Sequence, residues 1–117
     1  MTLTIPSTRS GLENFSIAAR IIPAVCRHCE VSPAALEAPI REWRYIRPRF
    51  LAIKLIREHT DFSLTEIGFL FNRQHTTICK ALQAVANLLE SDPSFKSDFD
   101  RLSLECGGKS DATPLSV

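Results

Sequence analysis

The stretch from Ser63 to Leu89 constrains the fold more than any other, because it punctuates two consecutive helices by purely local means. Ser63-Leu64-Thr65-Glu66 is a capping box: the serine hydroxyl accepts from a backbone N–H of the first turn while the glutamate reaches back to the cap. It starts a short helix over Leu64 to Phe71. Asn72 then tolerates the left-handed conformation that a helix stop requires. A second helix follows, running to about Glu90, with Ile78, Ala81, Leu82, Val85, Leu88 and Leu89 as its apolar stripe. It opens on four polar side chains, Arg73, Gln74, His75 and Thr76. A helix rarely begins with such a row of donors unless its first turn meets something polar.

The rest of the chain also reads as helical. Phe15, Ala18, Ala19, Ile22, Val25, Cys26 and Cys29 recur at three- and four-residue spacing and mark one helix face from about Leu12 to Cys29. Pro23 falls inside that pattern, so the helix either kinks there or starts later, and a kink is expected. Ser32-Pro33 signals a short helix, with Ser32 as its capping hydroxyl, ending before Pro39. The segment Ile40 to Ile46 reads as a loop, with Trp43 or Tyr45 buried to brace it. Pro48 is expected to start a helix to about His59 with Leu51, Ala52, Leu55 and Ile56 buried. Asp92-Pro93 starts the last helix, with Phe95, Phe99 and Leu102 inward. The expected fold is all-α, a compact bundle of about six helices containing a helix-turn-helix. Its expected organisation is a flexible N-terminus (1–11), one domain (12–105) and a disordered tail (106–117).

At 117 residues, 44% apolar and 23% charged, the chain suits one globular domain. No apolar run approaches the roughly 20 residues that span a bilayer, and Met1 to Gly11 lacks a signal-peptide core. A cytoplasmic, nucleoid-associated protein without membrane contact is expected. In that reducing compartment the four cysteines are not expected to pair. Cys26-Arg27-His28-Cys29 has a zinc-like gap but no second pair at finger spacing, so ordinary buried cysteines are expected and no metal or cofactor.

The net charge of +1 hides a polarised distribution. Arg41, Arg44, Arg47, Arg49, Lys54 and Arg57 face Glu42 and Glu58, whereas from Glu90 onward six acids face three bases. In a helix-turn-helix the N-terminal end of the second helix reads base edges in the major groove. Glutamine pairs with adenine, histidine donates to guanine or phosphate, and threonine methyls touch thymine methyls. The candidates for base contact are therefore Gln74, His75, Thr76 and Thr77, and for backbone contact Arg44, Arg47, Arg49, Ser63, Arg73 and Lys80. Arginines interleaved with aromatics before a helix suit phosphates or a narrow minor groove.

These motifs resemble the C-terminal DNA-binding domain of the bacterial replication initiator DnaA, within the Trp-repressor-like helix-turn-helix superfamily. The resemblance runs from about Ser16 to Leu102 and rests on three motifs in the family's order: Arg47-Pro48-Arg49, Ser63 to Gly68, and Arg73-x-His75-Thr76-Thr77. It implies that His75, Thr76 and Thr77 enter the major groove of a short asymmetric box, that Arg41 enters the adjacent minor groove, and that Arg49 contacts the backbone. The chain departs from the family pattern at Gln74, where an aspartate is usual, at Asn72, where two glycines are usual, and at Phe50, where a glutamine is usual. Gln74 implies a changed base preference, since aspartate accepts from cytosine. No Gly-x-x-x-x-Gly-Lys-Ser/Thr loop is present, so this reads as a DNA-reading domain alone, starting from its own methionine and without ATPase activity.

The expected function is sequence-specific recognition of double-stranded DNA at DnaA-box-like sites, in regulation of replication initiation or of transcription. DnaA or other replication proteins are further candidate partners, and a monomer is the expected state. The alternative is a helical adaptor that has lost DNA binding. The polar first turn favours DNA, because a protein-binding helix would more often expose aliphatic or aromatic anchors. An enzyme is not expected, since His75 has no nucleophile or carboxylate at a spacing that forms a catalytic pair.

Overall fold

The computed structural model describes residues 11–107, which form six helices and, among those residues, no strand. They are α1 (Gly11–Cys29), α2 (Pro33–Glu37), α3 (Trp43–His59), α4 (Leu64–Phe71), α5 (His75–Ser91) and α6 (Pro93–Gly107). The all-α expectation holds. The flexible N-terminus expected over 1–11 and the disordered tail over 106–117 lie almost wholly outside the described residues. Where they overlap, Gly11 opens α1, while Cys106 and Gly107 close α6.

Helix α3 is the axis of the bundle and packs against all five others. Its sequence explains this: Leu51, Ala52, Ile53, Leu55 and Ile56 are all buried, so its middle turns are apolar almost all round. By contrast α5 fully buries only Ile78, Ala81 and Val85, packs Leu82, Leu88 and Leu89 partly buried beside them, and keeps its opposite side for solvent. Ile21, Val25, Leu36, Ile67, Phe71, Phe95 and Leu102 are the fully buried large side chains that other elements add to the core. Each such side chain is worth about 1.5–3 kcal/mol of burial, more than an exposed pair such as Lys96–Asp100, for which about 0–1 kcal/mol is typical. The core therefore fixes the bundle.

Local signals place most boundaries. Both halves of the α4 capping box form: Glu66 N–H donates to Ser63 Oγ at 3.1 Å, and Ser63 N–H donates to Glu66 Oε1 at 2.8 Å. Asn72 ends α4 with φ 57° and ψ 47°. Asp92 Oδ1 accepts from the N–H groups of Ser94 and Phe95 and starts α6. Helix α1 stops on Glu30, which has φ 59°, and Val31 N–H closes back onto the Cys26 carbonyl.

Three expectations need correction. Helix α3 begins at Trp43, five residues before Pro48, so Trp43 to Ile46 are helical rather than loop. Proline is tolerated there because the bond it forfeits, to the carbonyl of Arg44, lies in the exposed first turn. The buried face of α1 runs through Asn14, Ala18, Ile21 and Val25, leaving Phe15 and Ala19 exposed. Asn14 is why: it looks like a surface residue, yet its Oδ1 accepts from Asp61 N–H and ties α1 to the α3–α4 loop. Helix α1 nevertheless spans Pro23, which is exposed and forfeits a bond to exposed Ala19. Finally, Ser32 precedes α2 but its side chain makes no capping bond.

Candidate nucleic-acid interface

The geometry of the α4–α5 pair starts with Gly68. A Cβ there would collide with the carbonyl oxygen of Arg73, so only glycine lets the turn fold back this tightly. Arg73 N–H donates to the Gly68 carbonyl at 2.7 Å and fixes the turn. Arg73 precedes the helix, Gln74 is its N-cap residue, and α5 proper begins at His75. The Gln74 side chain does not cap. The Thr77 N–H donates to the Gln74 carbonyl, so those of His75 and Thr76 are left for an external acceptor, at the end of the helix where its dipole favours negative charge. Gln74, His75, Thr76 and Thr77 are all exposed, as is Lys80 one turn on.

Arg41 is brought to the same surface. One shallow hollow is lined by Pro39, Ile40, Arg41, Ile46, Arg49, Phe50, Arg73 and Thr77, so the segment before α3 meets the first turn of α5. A second continues it past Phe50, Ile53 and Thr77 to Lys80 and Ala81. Arg44 is exposed, its guanidinium 5.5 Å from the Tyr45 ring centroid, a cation–π distance. Ser63 is exposed at the start of α4, its hydroxyl and N–H engaged in the cap.

Three arginines of the expected backbone-contacting set, Arg49, Arg47 and Arg73, have their guanidiniums engaged within the protein. Arg49 is only 7% exposed. Its Nε donates to the Leu36 carbonyl at 2.9 Å, and its Nη2 to those of Ala38 at 3.0 Å, Ile40 at 3.2 Å and Ala35 at 3.4 Å. Arg47 is largely covered, ion-paired with Asp98 of α6 and set over the Phe95 ring at 5.8 Å. Asp98 also accepts from His28 of α1 at 2.9 Å, so Arg47 belongs to a junction of α1, α3 and α6.

Arg73 shares the role of Arg49. Its Nη2 donates to the Ala38 carbonyl at 2.7 Å, and its Nη1 to those of Phe71 at 2.8 Å and Glu37 at 3.0 Å. Two guanidiniums thus converge on the carbonyls ending α2, where the helix dipole and unpaired C=O groups favour cations. Burial pushes the Arg49 guanidinium below its usual value, and the like charge of Arg73 adds to the effect. This clamp ties the end of α2, the segment carrying Arg41, and the α4–α5 turn into one unit. Neither Trp43 nor Tyr45 does that bracing: Trp43 is 48% exposed and Tyr45 half-buried. The clamp's acceptors, being main-chain carbonyls, carry no sequence signal.

The thiols are remote from this surface except Cys79, which is exposed on α5. Burial pushes the Cys26 and Cys106 thiols up, and burial likewise raises Cys29 against the opposing charge of Arg47. Among the described residues no group of three or more His, Cys, Asp or Glu is placed to hold a metal ion. No described helix is long and apolar enough to cross a membrane.

Residues 18–85, more than half of the chain and the whole of this surface, match the family described as bacterial dnaA protein helix-turn-helix. The chain belongs to that family. It is 34% identical over 83 residues to the chromosomal replication initiator protein DnaA of Bacteroides fragilis, covering 70% of this chain and 17% of the relative. The DnaA of Thermus thermophilus is 45% identical over 73 residues, covering 62% and 17%. That of Thermomicrobium roseum is 39% identical over 79 residues, covering 67% and 17%. The chain therefore spans about a sixth of the length of these curated relatives.

Proposed function

We propose that this chain binds double-stranded DNA sequence-specifically at DnaA-box-like sites and thereby regulates replication initiation or transcription inside a bacterial cell. The observation that carries the reading is the uncapped first turn of α5, with Gln74, His75, Thr76 and Thr77 exposed, beside the hollow shared by Arg41 and Thr77. Family membership supports it, since the relatives are named as chromosomal replication initiators.

In this reading α5 enters the major groove with Gln74, His75, Thr76 and Thr77 at base edges, while Arg41 reaches the neighbouring minor groove. Arg44, Ser63 and Lys80 hold phosphates. Arg49 and Arg73 act from beneath, holding the Arg41 segment and the turn at a fixed separation, and Arg47 acts on the bundle. Binding and positioning are the whole activity; no bond is made or broken.

Selection of bound sequences from a random duplex pool tests the reading. Enrichment of a short asymmetric box, with affinity falling steeply as salt rises, is the expected result. A pool that returns unenriched, or affinity that is flat with salt, overturns it.

A further inference from the structure

The same surface carries an aromatic ledge that the base- and phosphate-contacting sets leave unused. Trp43 opens α3 and remains 48% exposed, a large apolar area for a residue type that is usually covered. It is held rather than loose: its ring stands edge-on to Phe50, one heptad along the same helix face, with centroids 6.2 Å apart and planes at 81°. Phe50 in turn is half-buried and floors both hollows, the one shared by Arg41 and Thr77 and the one reaching Lys80. The indole therefore stands at the rim of the surface that α5 and the Arg41 segment define.

The charge around it selects the occupant. Arg41 and Arg44 flank Trp43 in sequence and Lys80 lies across the hollow. None of these cations has an ion pair among the described residues. Glu42, the N-cap residue of α3, is the one acid between Arg41 and Arg49. An apolar plate with a single N–H donor, set among cations, matches a strand that alternates sugar and phosphate better than it matches an apolar protein face.

We propose that Trp43, carried on Phe50, contacts duplex DNA directly, laying its indole on a deoxyribose of the strand next to the groove that Arg41 enters and donating Nε1–H to a phosphate. This rests on the DNA-binding reading above and adds a residue to it. The contact supplies affinity through covered apolar area, without displacing counterions.

Trp43 is the one tryptophan of the chain, so its emission reports this position alone. The experiment titrates the full chain with an unlabelled duplex of the pool-selected sequence, followed by tryptophan emission, and in parallel titrates a dye-labelled copy followed by anisotropy. Emission that shifts and saturates together with anisotropy is expected. Trp43→Ala should weaken binding about tenfold, as expected for losing a covered large apolar side chain, with the salt slope unchanged; Trp43→Phe should recover most of the loss. Rising anisotropy with unchanged emission, or Trp43→Ala binding as tightly as the parent, overturns this proposal and leaves DNA binding standing. No rise in anisotropy overturns both.

Discussion

Charged side chains are used in two opposite ways in this molecule. At the junction of α1, α3 and α6 they are paired with each other: Arg47 and His28 share Asp98, and Arg27 meets Glu105 at 3.8 Å. On the surface formed by the Arg41 segment and α5, cations have no carboxylate partner among the described residues. Arg49 and Arg73 spend their donors on main-chain carbonyls, while Arg41, Arg44 and Lys80 are exposed. A net charge of +1 averages these regions and hides both. The positive field exists because one region neutralises itself and the other does not.

The contrast can be broken at the turn itself. Gly68→Ala puts a methyl group into the Arg73 carbonyl and should cost about 3 kcal/mol, at the upper end of overpacking, read by urea denaturation. DNA affinity should fall with it, since the turn sets the α5 first turn. A variant of parental stability would show that the turn gives way easily. Arg49→Ala should cost about 2 kcal/mol, because it strips charge-assisted donors from buried carbonyls. Its DNA salt slope should stay near the parental value; a slope reduced by about one would return Arg49 to a phosphate.

At the end proposed to read bases, His75→Ala should lose roughly 1–3 kcal/mol of binding free energy and much of the discrimination between sites, with stability unchanged. Equal weakening on selected and random duplex would remove His75 from base reading. Lys80→Ala should lower the salt slope by about one and leave the melting temperature in place, whereas Asp98→Asn should lower the melting temperature and leave the slope unchanged. If the two variants traded effects, the division of charge described above would be wrong. The smallest effect is expected at Glu30, a non-glycine residue at φ 59°. Glu30→Gly should stabilise by about 1 kcal/mol by relieving the left-handed penalty, and a loss of stability would mean that the Glu30 side chain contributes more than the strain costs.

The helix-turn-helix was legible because its determinants span four residues or fewer. The Ser63–Glu66 box, Asn72 and Asp92 act on their own neighbours, so α4, α5 and α6 begin and end close to where local chemistry puts them. The exposed row Gln74 to Thr77 was legible for the same reason: it precedes the apolar stripe and lies off its face. The face of α1 was not, because Asn14 is buried through an acceptor role towards Asp61, 47 residues away. Nor was the start of α3, since a proline can stand one turn inside a helix as well as at its first position.

By itself, then, the sequence determined the class of fold, the helix-turn-helix and the exposed polar row that opens α5. Each follows from periodicity, caps and polarity along a few consecutive residues. Tertiary structure decided which arginines remain available. Arg49 and Arg73 resemble Arg41 in sequence, yet both end on the carbonyls that close α2, 35 residues from Arg73 in the case of Ala38. Arg47 ends on Asp98. A guanidinium goes to the nearest uncompensated oxygen, and which oxygen is nearest is known only once the helices have packed.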